Sequence, residues 1–170
     1  VSDLQYFTCD RLNRGRSPPP DGATVSNNEL HTDLRTAVRE LCSRFPDSYW
    51  RELDAQEAYP EEFVKTLTDA GYLAALIPEE FGGSGLGIAE ASIILEEVIR
   101  SGGNSAAGHA QMYIMGTVLR HGSDAQKKEI LPNIASGELR LQAFGVTEPT
   151  SGTDTSRIRT TAVRDGDDYI

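Results

Sequence analysis

The 170-residue chain holds only two cysteines, three histidines and one tryptophan. Cys9 and Cys42 make no disulfide framework, and neither stands in a metal-ligand spacing. Cys42 falls in an apolar helical pattern, which favours a buried, inert thiol over a reactive one. His31, His109 and His121 are scattered without a His-x-x-x-His pair, so zinc chemistry is disfavoured. Long hydrophobic runs are missing too. The longest near-apolar stretch, Leu73-Ala74-Ala75-Leu76-Ile77, is far short of the ~20 residues a membrane-spanning helix needs. Positive charge is scarce: 16 Lys and Arg face 26 Asp and Glu, a net charge of −10, which argues against nucleic-acid binding.

What is present fits a soluble globular protein, with 38% hydrophobic and 25% charged residues. A chain of this length reads as about one domain and buries roughly 70% of its unfolded surface, enough for a real core. It begins at Val1 rather than methionine and ends at Tyr169-Ile170 within a strand-like pattern, so both ends are expected to be cut.

Residues 1–28 show no sustained periodicity and contain Arg16-Ser17-Pro18-Pro19-Pro20-Asp21-Gly22, which predicts a flexible N-terminal arm. From Leu30 the pattern changes. Leu30, Leu34, Val38, Leu41 and Phe45 recur at helical spacing, and Pro46 is expected to stop that helix. A second helix is expected from Pro60 to Ala70, with Phe63, Val64 and Leu67 inward and Gly71 as its left-handed exit. The cluster Gly82-Gly83-Ser84-Gly85 invites a phosphate-loop reading. It fails both glycine fingerprints, because Ile88 stands where the third glycine or the lysine is required, so a tight turn is expected.

The next helix, Ile88–Arg100, is expected to bury Ile88, Ala91, Leu95, Val98 and Ile99 and to expose Glu90, Glu96 and Glu97. A further helix from about Ser105 to Arg120 is rich in small residues, with Met112, Tyr113 and Met115 as adaptable apolar volume. His109 on it is expected to be half-buried and hydrogen-bonded rather than catalytic. Ser123 and Gln126 form a capping box for a short helix ending between Pro132 and Gly137. After Gly137 the period switches towards alternation at 140–146 and 157–163, with a turn at Asp165-Gly166. The expected organisation is therefore an arm (1–28), an all-α domain (29–138) and the start of a β-domain (139–170).

Between the two expected strands lies Val146-Thr147-Glu148-Pro149-Thr150-Ser151-Gly152-Thr153-Asp154, rich in hydroxyls and backbone amides. Chemistry alone leaves it open between a polar turn and a ligand loop. With Phe144 and Gly145 in front, it resembles the flavin-binding signature of the acyl-CoA dehydrogenase family, x-x-[VL]-T-E-P-x-A-G-S-D. Ser151 replaces the usual alanine and Thr153 the usual serine. Tyr59-Pro60-Glu61-Glu62-Phe63, Ile77-Pro78-Glu79-Glu80-Phe81-Gly82-Gly83, His121-Gly122-Ser123 and Ser136-Gly137-Glu138 agree in order and spacing, so the resemblance covers about residues 30–170.

The resemblance implies a multidomain α and β protein: an all-α N-terminal domain, a β-barrel-like middle domain and a C-terminal helical bundle. It implies FAD as cofactor, with Phe144, Val146 and Thr147 against the flavin ring. Gly152 and Thr153 would lie near the FAD phosphates or the pantetheine arm of the substrate. The helix around Met112 to Gly116 would face the acyl chain. It further implies an acyl-CoA substrate, an electron-transfer flavoprotein as acceptor, and a homotetramer. The implied compartment is the cytoplasm in a bacterium, and the mitochondrial matrix or peroxisome in a eukaryote. The glutamate base is expected beyond Ile170, so no residue here is assigned as catalytic. Two alternatives stand beside this reading: a same-fold flavin oxidase or monooxygenase on a non-CoA substrate, and a non-catalytic helical assembly module.

Overall fold

The structure is a computed structural model that describes residues 27–143 and 145–170. The expected arm, apart from its last two residues, and Cys9 lie outside the described residues, as does Phe144. Six α-helices follow one another among the described residues: α1 Asn27–Cys42, α2 Asp47–Ala55, α3 Glu61–Asp69, α4 Ile88–Arg100, α5 Ala106–His121 and α6 Asp124–Ser136. Short 3-10 turns at Tyr72–Ala74 and Glu79–Phe81 join α3 to α4.

One apolar core unites these elements. Leu34 and Val38 of α1, Phe63 and Val64 of α3, Ile94 and Val98 of α4, Met115 of α5, and Leu131 and Ile134 of α6 are all buried in it. The apolar run 72–77 does not form a strand. Tyr72, Leu73 and Ile77 sit fully buried beneath the helices instead. Gly71 takes the left-handed conformation at φ +79°, which lets α3 end and the chain reverse. The glycine cluster is a tight turn wedged against that run. A side chain at Gly83 would lie 2.0 Å from the Ile77 carbonyl oxygen, so only glycine fits.

The first helix ends at Cys42, short of Phe45 and Pro46, and Pro46 instead opens a helix that the apolar periodicity did not signal. Pro46 precedes α2 in an extended conformation, and Asp47 favours the positive end of that helix. α2 carries Tyr49 and Trp50 into an edge-to-face cluster with Phe45 and Phe63, at ring separations of 4.8–5.1 Å. The capping box of α6 forms as expected: Gln126 N–H donates to Ser123 Oγ (3.3 Å) and Ser123 N–H to Gln126 Oε1 (2.8 Å). Pro132 lies inside this helix rather than ending it, and the left-handed Gly137 closes it.

The face expected for α4 needs correction. Ile88 and Ile99 are exposed, whereas Glu97 is 1% exposed. The reason lies on α1, where Arg35 and Arg39 stand one turn apart. Arg35 Nη1 donates to Glu97 Oε1 (2.8 Å), and Arg39 Nε and Nη2 donate to Oε2 (3.1 and 3.0 Å). Arg35 also pairs with Glu96 at 2.8 Å, and His31 meets Glu90 at 2.7 Å. A buried charge is tolerated only when paired and hydrogen-bonded, and this seam meets that demand. Burial pushes the Glu97 carboxyl up, but the Arg35 and Arg39 hydrogen bonds outweigh it and hold it below the usual carboxylate range.

The expected strand positions shift as well. The β-structure among the described residues is one hairpin, β1 Arg164–Asp165 and β2 Asp168–Tyr169, antiparallel with Arg164 opposite Tyr169, and an isolated antiparallel bridge between Glu148 and Ser151. The hairpin turn lies at Asp165-Gly166, as the sequence predicts. A strand exists only where a ladder partner exists. Residues 140–142 instead lie against the helices, and of residues 157–163 only Val163 extends the hairpin, while Arg157 closes a 3-10 turn and Arg159 and Thr160 bind Glu148. Val163 and Ile170 exchange one further pair of backbone hydrogen bonds.

Candidate functional site

The loop between Val146 and Asp154 is built by its own hydrogen bonds. Glu148 and Ser151 exchange backbone bonds at 2.9 and 3.2 Å, closing a tight turn around Pro149-Thr150. Ser151, buried, donates from Oγ to the Asp154 carbonyl (2.6 Å). The Asp154 side chain then accepts from Ser156 N–H (3.2 Å) and caps the 3-10 turn Thr155–Arg157. Glu148 does the longest-range work. Its carboxylate accepts from the backbone N–H groups of Arg159 (2.9 Å) and Thr160 (2.8 Å) and from the Thr160 hydroxyl. Led by the Thr160 hydroxyl, these donors hold its carboxyl below the usual range.

These bonds engage the loop's acidic groups and Ser151 and leave other groups open. Thr147, Gly152 and Thr153 are exposed, and Val146 is half-buried. A Cβ at Gly152 would meet nothing within 4 Å, so an incoming group can approach its backbone closely. The free groups are neutral hydroxyls and amides, a donor set that suits the polar edge of a heteroaromatic ring or a phosphate. The residues present therefore fit the flavin that the signature implies. The structure keeps Val146, Thr147, Gly152 and Thr153 on one loop.

A second feature lies at the start of α5. A cleft of about 450 Å³ runs between this helix, Tyr59 and Gln142. Ala106, Ala107 and Ala110 give it an apolar floor, and His109 and Tyr113 line it with rings 5.2 Å apart in an edge contact. Tyr59 Oη donates to Gln142 Oε1 (2.8 Å), and Arg140 pairs with Glu61 at 3.0 Å, so residues 140–142 are fastened to the start of α3. His109 is exposed here, not half-buried as expected, because its position on α5 points into the cleft. Met112 and Met115 are buried on the core side of α5, so they do not face the cleft. Tyr59 and Gln142 were not singled out as site residues by sequence reasoning. The Tyr59-Pro60 run was the available signal for one, and nothing in the local pattern marks the other.

The Acyl-CoA dehydrogenase, N-terminal domain family matches residues 28–138. The chain belongs to the acyl-CoA dehydrogenase family. Acyl-CoA dehydrogenase FadE12 of Mycobacterium tuberculosis is 36% identical over 144 residues, covering 84% of this chain and 37% of the relative. A structure from work on the electron transferring flavoprotein of Acidaminococcus fermentans matches 86% of this chain at 27% identity and a TM-score of 0.70, covering 38% of its own chain. Butyryl-CoA dehydrogenase from Megasphaera elsdenii shares the fold, with a TM-score of 0.68 over 85% of this chain and 38% of its own, at 23% identity. The chain thus spans well under half the length of each of these three proteins. Its helical part and its neighbours place it with the family's helical N-terminal domain.

Proposed function

We propose that this chain supplies the helical domain and the flavin-facing loop of an FAD-dependent acyl-CoA dehydrogenase. The reaction is removal of the α-proton and β-hydride of an acyl-CoA thioester. The observation that carries this reading is the Glu148-locked loop, which leaves the Thr147 and Thr153 hydroxyls and the Gly152 backbone open. FAD, when bound, supplies the acceptor for the β-hydride.

Thr147 is suited to hydrogen-bond the polar edge of the flavin ring, with Phe144 and Val146 against its face. Gly152 and Thr153 are suited to phosphate or pantetheine oxygens. The cleft beside α5 takes the acyl group, bordered by Ala106, Ala107 and Ala110 rather than by the methionines. Glu148 is no candidate for the base, because its carboxylate is fully engaged in holding the loop. The base is proposed to belong to the family's C-terminal bundle. An electron-transfer flavoprotein as acceptor and a homotetrameric assembly complete the reading.

FAD retention tests it. Thr147→Val is expected to weaken FAD binding about tenfold, the loss of one hydrogen bond to a buried acceptor. Unchanged retention would remove Thr147 from the flavin site. A bound flavin that is reoxidised rapidly by molecular oxygen, and not by an electron-transfer flavoprotein, would favour the oxidase alternative.

A further inference from the structure

The cleft beside α5 carries a polar character that the acyl-CoA reading does not require. Asn104 lines it, and its amide orientation is fixed: the Ala106 backbone N–H donates to Asn104 Oδ1 at 2.8 Å. That bond identifies the oxygen and leaves the Asn104 Nδ2 donors unengaged among the described residues. One turn further along α5, His109 lines the same cleft, is exposed, and makes an edge contact to Tyr113 but no hydrogen bond among the described residues. Across the cleft, Gln142 Oε1 is already taken by the Tyr59 hydroxyl. Among the described residues no carboxylate, lysine or arginine lines the cleft, although the chain carries 26 acidic and 16 basic residues.

Resting on the reading of this cleft as the acyl site, we propose that it selects acyl groups bearing a neutral oxygen, a hydroxyl or ketone, towards their distal end. Asn104 Nδ2 and His109 are the specificity-determining donors. Asn104 and His109 are exposed, and a hydrocarbon chain laid on the alanine floor would displace water from both donors and return no hydrogen bond. A neutral oxygen satisfies them and keeps the apolar contacts. A terminal carboxylate is disfavoured, because among the described residues no lysine or arginine lines the cleft to offset its loss of solvation. Discrimination by hydrogen bonding is the strong form of selectivity, since the wrong ligand leaves polar groups unpaired.

The test is calorimetric binding to the flavin-loaded protein with three 3-thiaacyl-CoA analogues, which lack a β-hydrogen and are not turned over. They share chain length and differ at the distal end: methyl, hydroxyl or carboxylate. The hydroxyl analogue is expected to bind about tenfold more tightly than the methyl one, with the carboxylate no tighter than methyl. Asn104→Asp keeps the acceptor for Ala106 N–H and removes the donor. Asn104→Asp and His109→Ala should each reduce the hydroxyl-to-methyl ratio about threefold, with circular dichroism confirming the fold. Equal binding of the methyl and hydroxyl analogues, or a ratio that neither variant changes, would overturn this proposal and leave the acyl-CoA reading standing. Tighter binding of the carboxylate would do the same. A protein that binds none of the three contradicts the acyl-CoA reading itself, and this proposal with it.

Discussion

At the scale of single residues, the strongest structural commitment is Glu97. Its folded-state pKa lies below the unfolded value, so folding binds fewer protons near that range and stability rises with pH through it. The contribution is fully present above the ordinary carboxylate pKa of about 4.3 and is lost as pH falls through the lower folded value. Glu90, held low first by His31, and Glu148 act in the same direction. Thermal unfolding is therefore expected to show a steep loss of stability below about pH 4. Glu97→Gln should flatten that slope and cost about 2 kcal/mol at neutral pH, since the partly exposed Arg35 and Arg39 can turn to water. An unchanged acid limb in urea titrations of this variant would show that the seam contributes nothing. Gly83→Ala should be costly for a different reason, at about 3 kcal/mol, because the obstacle is the Ile77 backbone rather than a movable side chain. A melting temperature within one degree or so of the parent would contradict that contact.

At the scale of elements, most of the fold was legible because helices report themselves locally. Leu34, Val38 and Leu41 follow the 3.6-residue period, Gly71 and Gly137 mark ends, and Ser123 with Gln126 mark a start. α2 escaped because it turns only two half-buried aromatic side chains, Tyr49 and Trp50, to the core, too short a stripe to show a period. The face of α4 was misread because Glu97 looks solvent-bound by type. Only the tertiary approach of Arg35 and Arg39, some sixty positions earlier, makes its burial tolerable. Strand positions were least legible, since alternation states which faces a segment has and not whether a ladder partner exists. Ser123→Ala isolates one local signal. It should cost about 1 kcal/mol, the usual value of an N-cap, read from the shift in the denaturation midpoint. No shift would mean that water replaces the cap without loss.

At the scale of the whole molecule, the two parts of the chain differ in how they are held. The helices bury their apolar residues against one another in one core. From Gly152 to Ile170 every residue is exposed, including Ile158, Val163, Tyr169 and Ile170. Backbone amides of α1, α4 and α5 are thus expected to exchange slowly with deuterium, and those of 155–170 within seconds. Equal protection across both parts would contradict this division. The candidate site straddles it. Its loop motif was readable as a family signature, whereas the cleft was not, because Tyr59, Asn104, His109 and Gln142 are scattered in sequence and meet only in the folded chain.

Anaerobic titration of the flavin-loaded protein with acyl-CoA thioesters decides whether this chain is, as proposed, part of a flavin-dependent acyl-CoA dehydrogenase. Loss of the oxidised flavin absorbance in step with formation of the enoyl-CoA is expected. A bound flavin that stays oxidised in the presence of every thioester tried, or a protein that takes up no FAD, would contradict it.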